Sequence, residues 1–208
     1  ILTKTYWETY AFPGVIFKWD SWYRYNFENR LTPRKVIDFN WKAFYNLIYM
    51  ESKLRRMNCS DGICKVCHLE TENLEHMLMS CLYRRKIWKL VENVIQCSFG
   101  NNYNISKLEA LCGILPEDLQ NNDISIINMI LGMTRYHLYL MRNIMKKEEK
   151  YVSFTECYIR LRYYITNHIK LLLISKYTVQ DVKDKLNEVL NHIMTTLRNG
   201  INEHSINL

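Results

Sequence analysis

The stretch CKVCHLETENLEHMLMSC, residues 64–81, holds three cysteines and one histidine at spacings typical of metal ligands. Cys64 and Cys67 are separated by two residues, the spacing at which a tight turn directs two sulfurs to one ion. His76 and Cys81 supply a second pair after a short loop. Zinc binds such a Cys3His set as a closed tetrahedron, which leaves no position for a reactive water. We therefore expect one structural zinc ion per chain, bound by Cys64, Cys67, His76 and Cys81.

The second pair of ligands constrains the backbone between them. On a regular α-helix, residues five positions apart point roughly 140° away from each other. His76 and Cys81 can reach one ion only if the helix is distorted, so we expect a helical turn that begins near Asn73 and loosens near Ser80. His68 is an alternative ligand, and ordinary buried cysteines are the alternative to any metal site.

The composition of the whole chain is that of a globular protein. Of its 208 residues, 48% are hydrophobic and 24% are charged, a balance typical of folded domains. The first residues resemble the interior of a domain, so we expect the chain to be a piece of a longer protein. It shows neither a signal-peptide pattern nor an apolar run of about 18 residues, and we expect a soluble protein with no membrane partner.

The remaining cysteines follow no disulfide pattern. Seven is an odd number of cysteines, and Cys59, Cys97, Cys112 and Cys157 are scattered along the chain. This usage favours a reducing, intracellular compartment. Cys59 lies too far before Cys64 to enter the predicted ligand set. The net charge of +7 suits a polyanionic partner.

Helical periodicity dominates the sequence on both sides of the predicted metal site. Thr32 is predicted to cap a helix whose first position is Pro33, and apolar residues recur every three or four positions from Val36 to Met50. After the last cysteine ligand, a second apolar stripe runs from Ile87 to Ile95, and Gly100 is expected to end that helix.

Residues 101–208 show the same periodicity. Asp123 is predicted to cap a long apolar helix, and the cations near its end, Arg142, Lys146 and Lys147, suit the helix dipole. Ser153-Phe-Thr-Glu156 is a capping box that opens the next helix.

The last segment carries the most regular apolar stripe in the chain. A second box is predicted at Thr178–Asp181, followed by a stripe from Val179 to Leu197 that Gly200 is expected to end. Strand alternation of comparable length is not seen anywhere. The predicted fold class is therefore mostly α: a small zinc-anchored helical knuckle packed with further helices, and a second helical group C-terminal to it.

The first thirty residues are rich in aromatic side chains. They include Tyr6, Trp7, Tyr10, Phe17 and Trp22. We expect most of these rings to lie in a core or an interface, while a few could stack on nucleic-acid bases.

From Leu31 to about Val91 the chain resembles the zinc-binding segment that follows the reverse transcriptase of non-LTR (LINE-type) retrotransposons. The residues that carry the resemblance are, in order, Pro33, Phe39, Trp41, Leu54, Cys64, Cys67, Glu72, Glu75, His76, Cys81 and Trp88. The family usually breaks the chain with Leu-Pro-Thr before the second helix. Here Ile48-Tyr49-Met50 stands at that point, which favours a continuous helix.

The resemblance implies three regions. Residues 1–30 form an aromatic-rich lead-in at the end of a preceding region. Residues 31–100 form the reverse transcriptase zinc-binding domain, and residues 101–208 form a C-terminal helical region.

The resemblance also implies a role for the chain. It is expected to be a non-catalytic, nuclear portion of a reverse transcriptase polyprotein that positions element RNA or target DNA during target-primed reverse transcription. The reverse transcriptase core of the same polyprotein is the second expected partner. Polymerase chemistry uses paired acidic residues that hold two metal ions, and the sequence contains no Asp-Asp pair. We expect no enzyme activity and no small-molecule substrate.

Basic residues surround the predicted metal site. They are predicted to contact nucleic-acid phosphates without sequence preference. These residues are Lys53, Arg55, Arg56, Lys65, Arg84, Arg85, Lys86 and Lys89. Alternatively, they balance the net charge of −1 that three thiolates and one zinc ion carry. Trp41 and Trp88 are predicted to be core residues.

Two other classes of protein were considered. In a protein-docking module, the stripe from Val179 to Leu197 would bind another chain or another part of the polyprotein. A zinc deaminase is excluded, because deaminases place a His-x-Glu element before Pro-Cys-x2-Cys, and here the cysteine pair comes first.

Overall fold

The computed structural model describes residues 7–8, 12–13, 15, 18–100, 102–113, 121–148 and 151–204, with side chains described to residue 195. Its helices are α1 (Trp19–Phe27), α2 (Arg34–Phe44), α3 (Glu51–Arg56), a π-helix (His76–Ser80), α4 (Leu82–Phe99), α5 (Lys107–Cys112), α6 (Asn121–Glu148), α7 (Phe154–Ile174) and α8 (Gln180–His204). The described residues form no β-strand beyond one isolated bridge between Ile63 and Thr71. The prediction of a mostly α fold is confirmed. Tyr6, Tyr10 and Phe17 lie outside the described residues.

Helix α6 is the centre of the packing. It contacts α1, α2, the π-helix, α4, α5, α7 and α8. Residues on most of its circumference are buried, from Ile124 to Met145. A helix that is apolar on most sides is stable only when other helices surround it, which explains its central place.

Helix α8 covers one side of this core. Val182, Leu186, Val189 and Ile193 are buried, and the helix packs on α4 and α7. These four residues of the stripe therefore belong to the chain's own core and are not available to dock another chain. Gly200 lies within α8 rather than at its end, because glycine weakens a helix by only about 1 kcal/mol and does not break it.

Helix α2 begins and ends differently from the prediction. Pro33, with ψ of 139°, precedes the helix as its cap position, and no side-chain cap is formed, so Thr32 is not the cap. The helix ends at Phe44 and a turn follows, with Asn46 in the left-handed conformation at φ 54°. Leu47 is 52% exposed. The continuous helix expected through Ile48-Tyr49-Met50 is therefore wrong.

The other predicted helix ends agree more closely with the structure. Gly100 ends α4 with φ of 131°. Ser153 caps α7 by accepting a hydrogen bond from the Glu156 backbone N–H at 3.1 Å. Asp123 lies in the first turn of α6, which begins at Asn121, and not at its cap.

A buried ion network joins the two halves of the chain. The Arg142 guanidinium on α6 lies 2.9 Å from the Glu51 carboxylate and 2.5 Å from the Glu72 carboxylate. Lys146 lies 2.6 Å from Glu51. Arg142 and Lys146 therefore form ion pairs with these carboxylates. From the sequence, both were expected only to interact with the dipole of the helix. Burial raises the pKa of Glu51, but hydrogen bonds from Lys146 and Ser60 outweigh burial and the net pKa is lowered.

Removing the central cation of this network should be costly. In Arg142→Met, the Glu72 carboxylate stays buried without its cation, which destabilises proteins by about 3–5 kcal/mol. We expect a loss of this size in the free energy of unfolding by urea. The control is Arg160→Met, which breaks an exposed pair with Glu156 and should cost less than about 1 kcal/mol. Equal losses in both variants would contradict a stabilising role for the network.

Candidate metal centre

The four predicted ligands meet at one point. One donor atom from each of Cys64, Cys67, His76 and Cys81 lies within 4.8 Å of the other three. The Cys67 sulfur and His76 Nε2 are 3.3 Å apart, close to the edge of about 3.3–3.8 Å that a tetrahedron with zinc-ligand bonds requires. Cys64, His76 and Cys81 are buried, and Cys67 is partly exposed.

The first ligand pair is fixed by a tight backbone turn. The Cys64 N–H donates to the Glu70 carbonyl at 2.8 Å, and the His68 N–H donates to the Cys64 carbonyl at 2.9 Å. The Val66 N–H points at the Cys64 sulfur at 3.4 Å, as a donor to a thiolate would. His68 is exposed and does not join the cluster found among the described residues, so it is not a substitute ligand.

The second ligand pair is brought together by the π-helix. The Cys81 N–H donates to the His76 carbonyl at 3.3 Å, five residues back along the chain. A π-helix closes hydrogen bonds between residues i and i+5 and is commonly found at functional sites. This wider winding places His76 and Cys81 on the same side of the helix, so the predicted distortion is confirmed and takes the form of a π-helix.

Two side chains orient the imidazole of His76. Its Nδ1 lies 3.2 Å from the Glu70 carboxylate and 3.4 Å from the Ser80 hydroxyl, while Nε2 faces the sulfur of Cys67. A carboxylate on the far nitrogen fixes the ring orientation of a metal-binding histidine. The sequence prediction missed Glu70, although a carboxylate on the loop between the ligand pairs was a visible signal.

The two fully buried sulfurs share a hydrogen bond. The interaction with Cys81 raises the pKa of the Cys64 thiol, and burial raises it further. The same hydrogen bond lowers the pKa of Cys81 against the effect of burial. A divalent cation bound between these atoms would replace the shared proton and satisfy both sulfurs. The donor set and its geometry therefore fit zinc.

A comparison with protein families agrees with this geometry. Residues 3–88 match the family described as zinc-binding in reverse transcriptase. The match supports a reverse transcriptase zinc-binding domain in this part of the chain, and it includes all four ligands and begins within the aromatic-rich lead-in. No curated protein and no solved structure matches the chain. A zinc-binding accessory domain is not a catalytic domain, which fits a non-enzymatic segment.

Most of the predicted phosphate-binding residues lie on the surface around the cluster. Exposed members are Arg55, Arg56, Arg85, Lys86 and Lys89, and partly exposed members are Lys53 and Lys65. Lys65 pairs with Asp61 at 2.8 Å, and Lys89 pairs with Glu92. Arg55, Arg56 and Arg85 form no ion pair with any described residue.

Arg84 does not belong to this surface, and its inclusion in the predicted interface is wrong. Only 1% of the residue is exposed, because the helical rhythm of α4 turns it towards the protein interior. Its three guanidinium nitrogens have no hydrogen-bond partner among the described residues. Its backbone N–H donates to the Cys81 carbonyl at 2.8 Å, so the residue lies beside a metal ligand.

The two tryptophans predicted to be core residues differ. Trp88 is buried, and its indole N–H donates to the Leu78 carbonyl at 2.6 Å, which confirms the prediction. Trp41 is 42% exposed. It lies on the outer face of α2, opposite the side that buries Val36 and Phe39, so the prediction for Trp41 is wrong.

Replacing a metal ligand should unfold the knuckle. In Cys64→Ser or His76→Ala we expect loss of bound zinc and of local structure, because structural zinc supplies on the order of 10 kcal/mol of folding free energy. Zinc content and the circular dichroism spectrum measure these two effects. Cys59→Ser is the control, since Cys59 is exposed and lies outside the cluster. Ligand variants that keep both zinc and the native thermal midpoint would contradict a structural site.

Arg84 should support zinc binding through its charge. Three thiolates and one zinc ion carry a net charge of −1, and a buried guanidinium nearby would compensate it. We expect Arg84→Met to weaken zinc affinity by about 10- to 100-fold, as outer-shell substitutions commonly do. Competition with a chelator measures this, and Arg85→Met, an exposed neighbour, is the control. If the Arg84→Met variant folds and binds zinc with unchanged affinity, charge compensation by Arg84 is contradicted.

Proposed function

We propose that the chain is a non-catalytic C-terminal portion of a non-LTR retrotransposon reverse transcriptase polyprotein. Its structural zinc module binds element RNA or target DNA and positions it during target-primed reverse transcription. The observation that carries the nucleic-acid role is a set of exposed cations that form no ion pair with any described residue, namely Arg55, Arg56 and Arg85.

The metal centre would hold these cations in fixed positions. Arg55 and Arg56 end α3, directly before the loop that carries the first two ligands. Arg85 and Lys86 lie in the first turns of α4, directly after Cys81. Closing the cluster would tie both helices to one point, and we propose that this brings cations far apart in sequence onto one charged surface. Such a surface neutralises phosphates and binds with a strong dependence on salt.

The alternative function is protein docking without nucleic-acid contact. Large apolar side chains near the metal centre favour it: Met57 is 57% exposed, Leu69 is 77% exposed and Leu82 is 65% exposed. The reverse transcriptase core of the same polyprotein is the partner proposed for this surface. We propose a nuclear location for the chain, as part of its role in target-primed reverse transcription.

Removing two surface cations tests the nucleic-acid role. In Arg85→Gln with Lys86→Gln we expect weaker binding to RNA and to duplex DNA alike, because phosphates carry no sequence information. On duplex DNA, the slope of log affinity against log salt should become shallower by about 1.8, or 0.9 per lost phosphate contact.

The matched control for this experiment removes two exposed cations elsewhere, Lys170→Gln with Lys176→Gln. The control should leave both affinity and salt dependence close to those of the unmodified chain. If the Arg85 and Lys86 variant also binds unchanged at low salt, the two cations only balance the charge of the cluster and the docking alternative is favoured.

A further inference from the structure

A groove lies between α3, the turn at residues 45–50 and the residues that lead into the π-helix. Its volume is about 350 Å³, and its lining includes Asn46, Ser52, Lys53, Arg56 and Asn73. Cavities of roughly 300–1,000 Å³ hold small ligands in proteins. The groove is therefore large enough for a small polar group, and its lining supplies amide, hydroxyl and cationic donors.

The groove carries an excess of positive charge. Lys53 and Arg56 lie one helical turn apart on α3 and both line it. Burial lowers the pKa of Lys53, and the nearby charge of Arg56 lowers it further. The one carboxylate of the described lining, Glu75, is paired with Lys107 at 2.9 Å. An anion in the groove would relieve the repulsion between the two cations.

Exposed aromatic rings lie on the turn that borders the groove and on the end of α2 that leads into it. Trp41 and Tyr45 contact each other with ring centroids 4.8 Å apart, and they are 42% and 43% exposed. Tyr49, on the same turn, is 64% exposed. Lys53 fixes this turn, because its ammonium donates to the carbonyl oxygens of Asn46 and Ile48. Lys53 therefore ties the turn that carries Tyr45 and Tyr49 to the cationic side of the groove.

We propose that the groove and these rings form a binding site for single-stranded nucleic acid. Lys53 and Arg56 hold the phosphate of one nucleotide, while Trp41 and Tyr45 offer ring faces on which neighbouring bases stack. Proteins that bind single strands combine these two features, a cationic groove along the backbone and aromatic platforms for the bases. The site rests on the nucleic-acid role proposed above and adds a strand type and a location to it.

A single strand fits this surface better than a duplex. In a duplex the bases stack on one another, so their faces are not available to Trp41 and Tyr45. In a single strand each base has a free face, which makes stacking tolerant of sequence. The site would therefore bind unpaired RNA or DNA with little sequence preference.

Two substitutions should give different signatures on a labelled single-stranded oligonucleotide of about 12 nucleotides, within the site sizes of such proteins. Arg56→Gln should make the slope of log affinity against log salt shallower by about 0.7, the value for one phosphate contact on a single strand. Trp41→Ala should weaken binding by about tenfold or more, the loss expected for one stacked base, and leave the slope unchanged.

The controls separate this site from the general charged surface. Lys176→Gln and Tyr177→Ala remove an exposed cation and an exposed ring in the α7–α8 connection and should change neither quantity. Trp41→Ala should also leave duplex binding unchanged. Zinc content and circular dichroism confirm that each variant is folded.

The outcomes separate failure of the site from failure of the proposed function. Weaker binding of RNA, of DNA or of both by the two variants supports the site and identifies the strand it prefers. If the unmodified chain binds single strands and both variants bind equally well, the groove is not the site, although the nucleic-acid role stands. If the unmodified chain binds no nucleic acid at any salt concentration, both proposals are overturned and protein docking is favoured.

Discussion

The convergence of three sulfurs and one imidazole nitrogen on a single point is the constraint on which the rest of this structure depends. The segment between α3 and the π-helix is built almost entirely from turns, and α3 has only six residues. Helices this short are not stable in water by themselves. A tetrahedral ion is therefore well suited to hold this segment in one conformation. The π-helix follows from the same constraint, because ligands five residues apart can share an ion only on a widened helix.

The metal centre is also joined to the core of the chain by charge. Glu72 belongs to the ligand-bearing loop, and its carboxylate lies against Arg142 at the middle of the structure. Arg84 places a second buried guanidinium on α4, three residues after Cys81. One cation thus links the knuckle to α6, and the other lies near the cluster itself. The module and the helices after it share these contacts, which ties the orientation of the basic surface to the central helix.

The sequence predicted the parts of the structure that depend on local pattern. Ligand identity follows from residue types and spacing, and the cap at Ser153 follows from a four-residue pattern. The buried ion network could not be predicted in this way, since Arg142 and Glu72 are 70 residues apart in sequence and nothing local marks them as partners. Arg84 differs, because a local signal was present. It was grouped with the two basic residues that follow it, although it lies three residues before the buried Ile87 and four before the buried Trp88, on the apolar face of α4.

Trp41 shows why exposure is hard to predict for aromatic residues. Large rings are usually buried, and the apolar stripe seemed to continue through Met50, which would have enclosed this face of α2. The early end of the helix at Phe44 turns the chain away and leaves Trp41 and Tyr45 in solvent. The break at residues 45–50 thus forms both the groove and the exposed rings beside it. A departure from the predicted helix is the origin of the proposed single-strand site.

X-ray absorption at the zinc edge of the purified chain tests the central claim most directly, because it reports the atoms around the ion. The account predicts three sulfur neighbours at about 2.3 Å and one nitrogen neighbour at about 2.0 Å, with no oxygen in the shell. A shell that contains water oxygen, or that has fewer than three sulfurs, would contradict a closed structural site formed by Cys64, Cys67, His76 and Cys81.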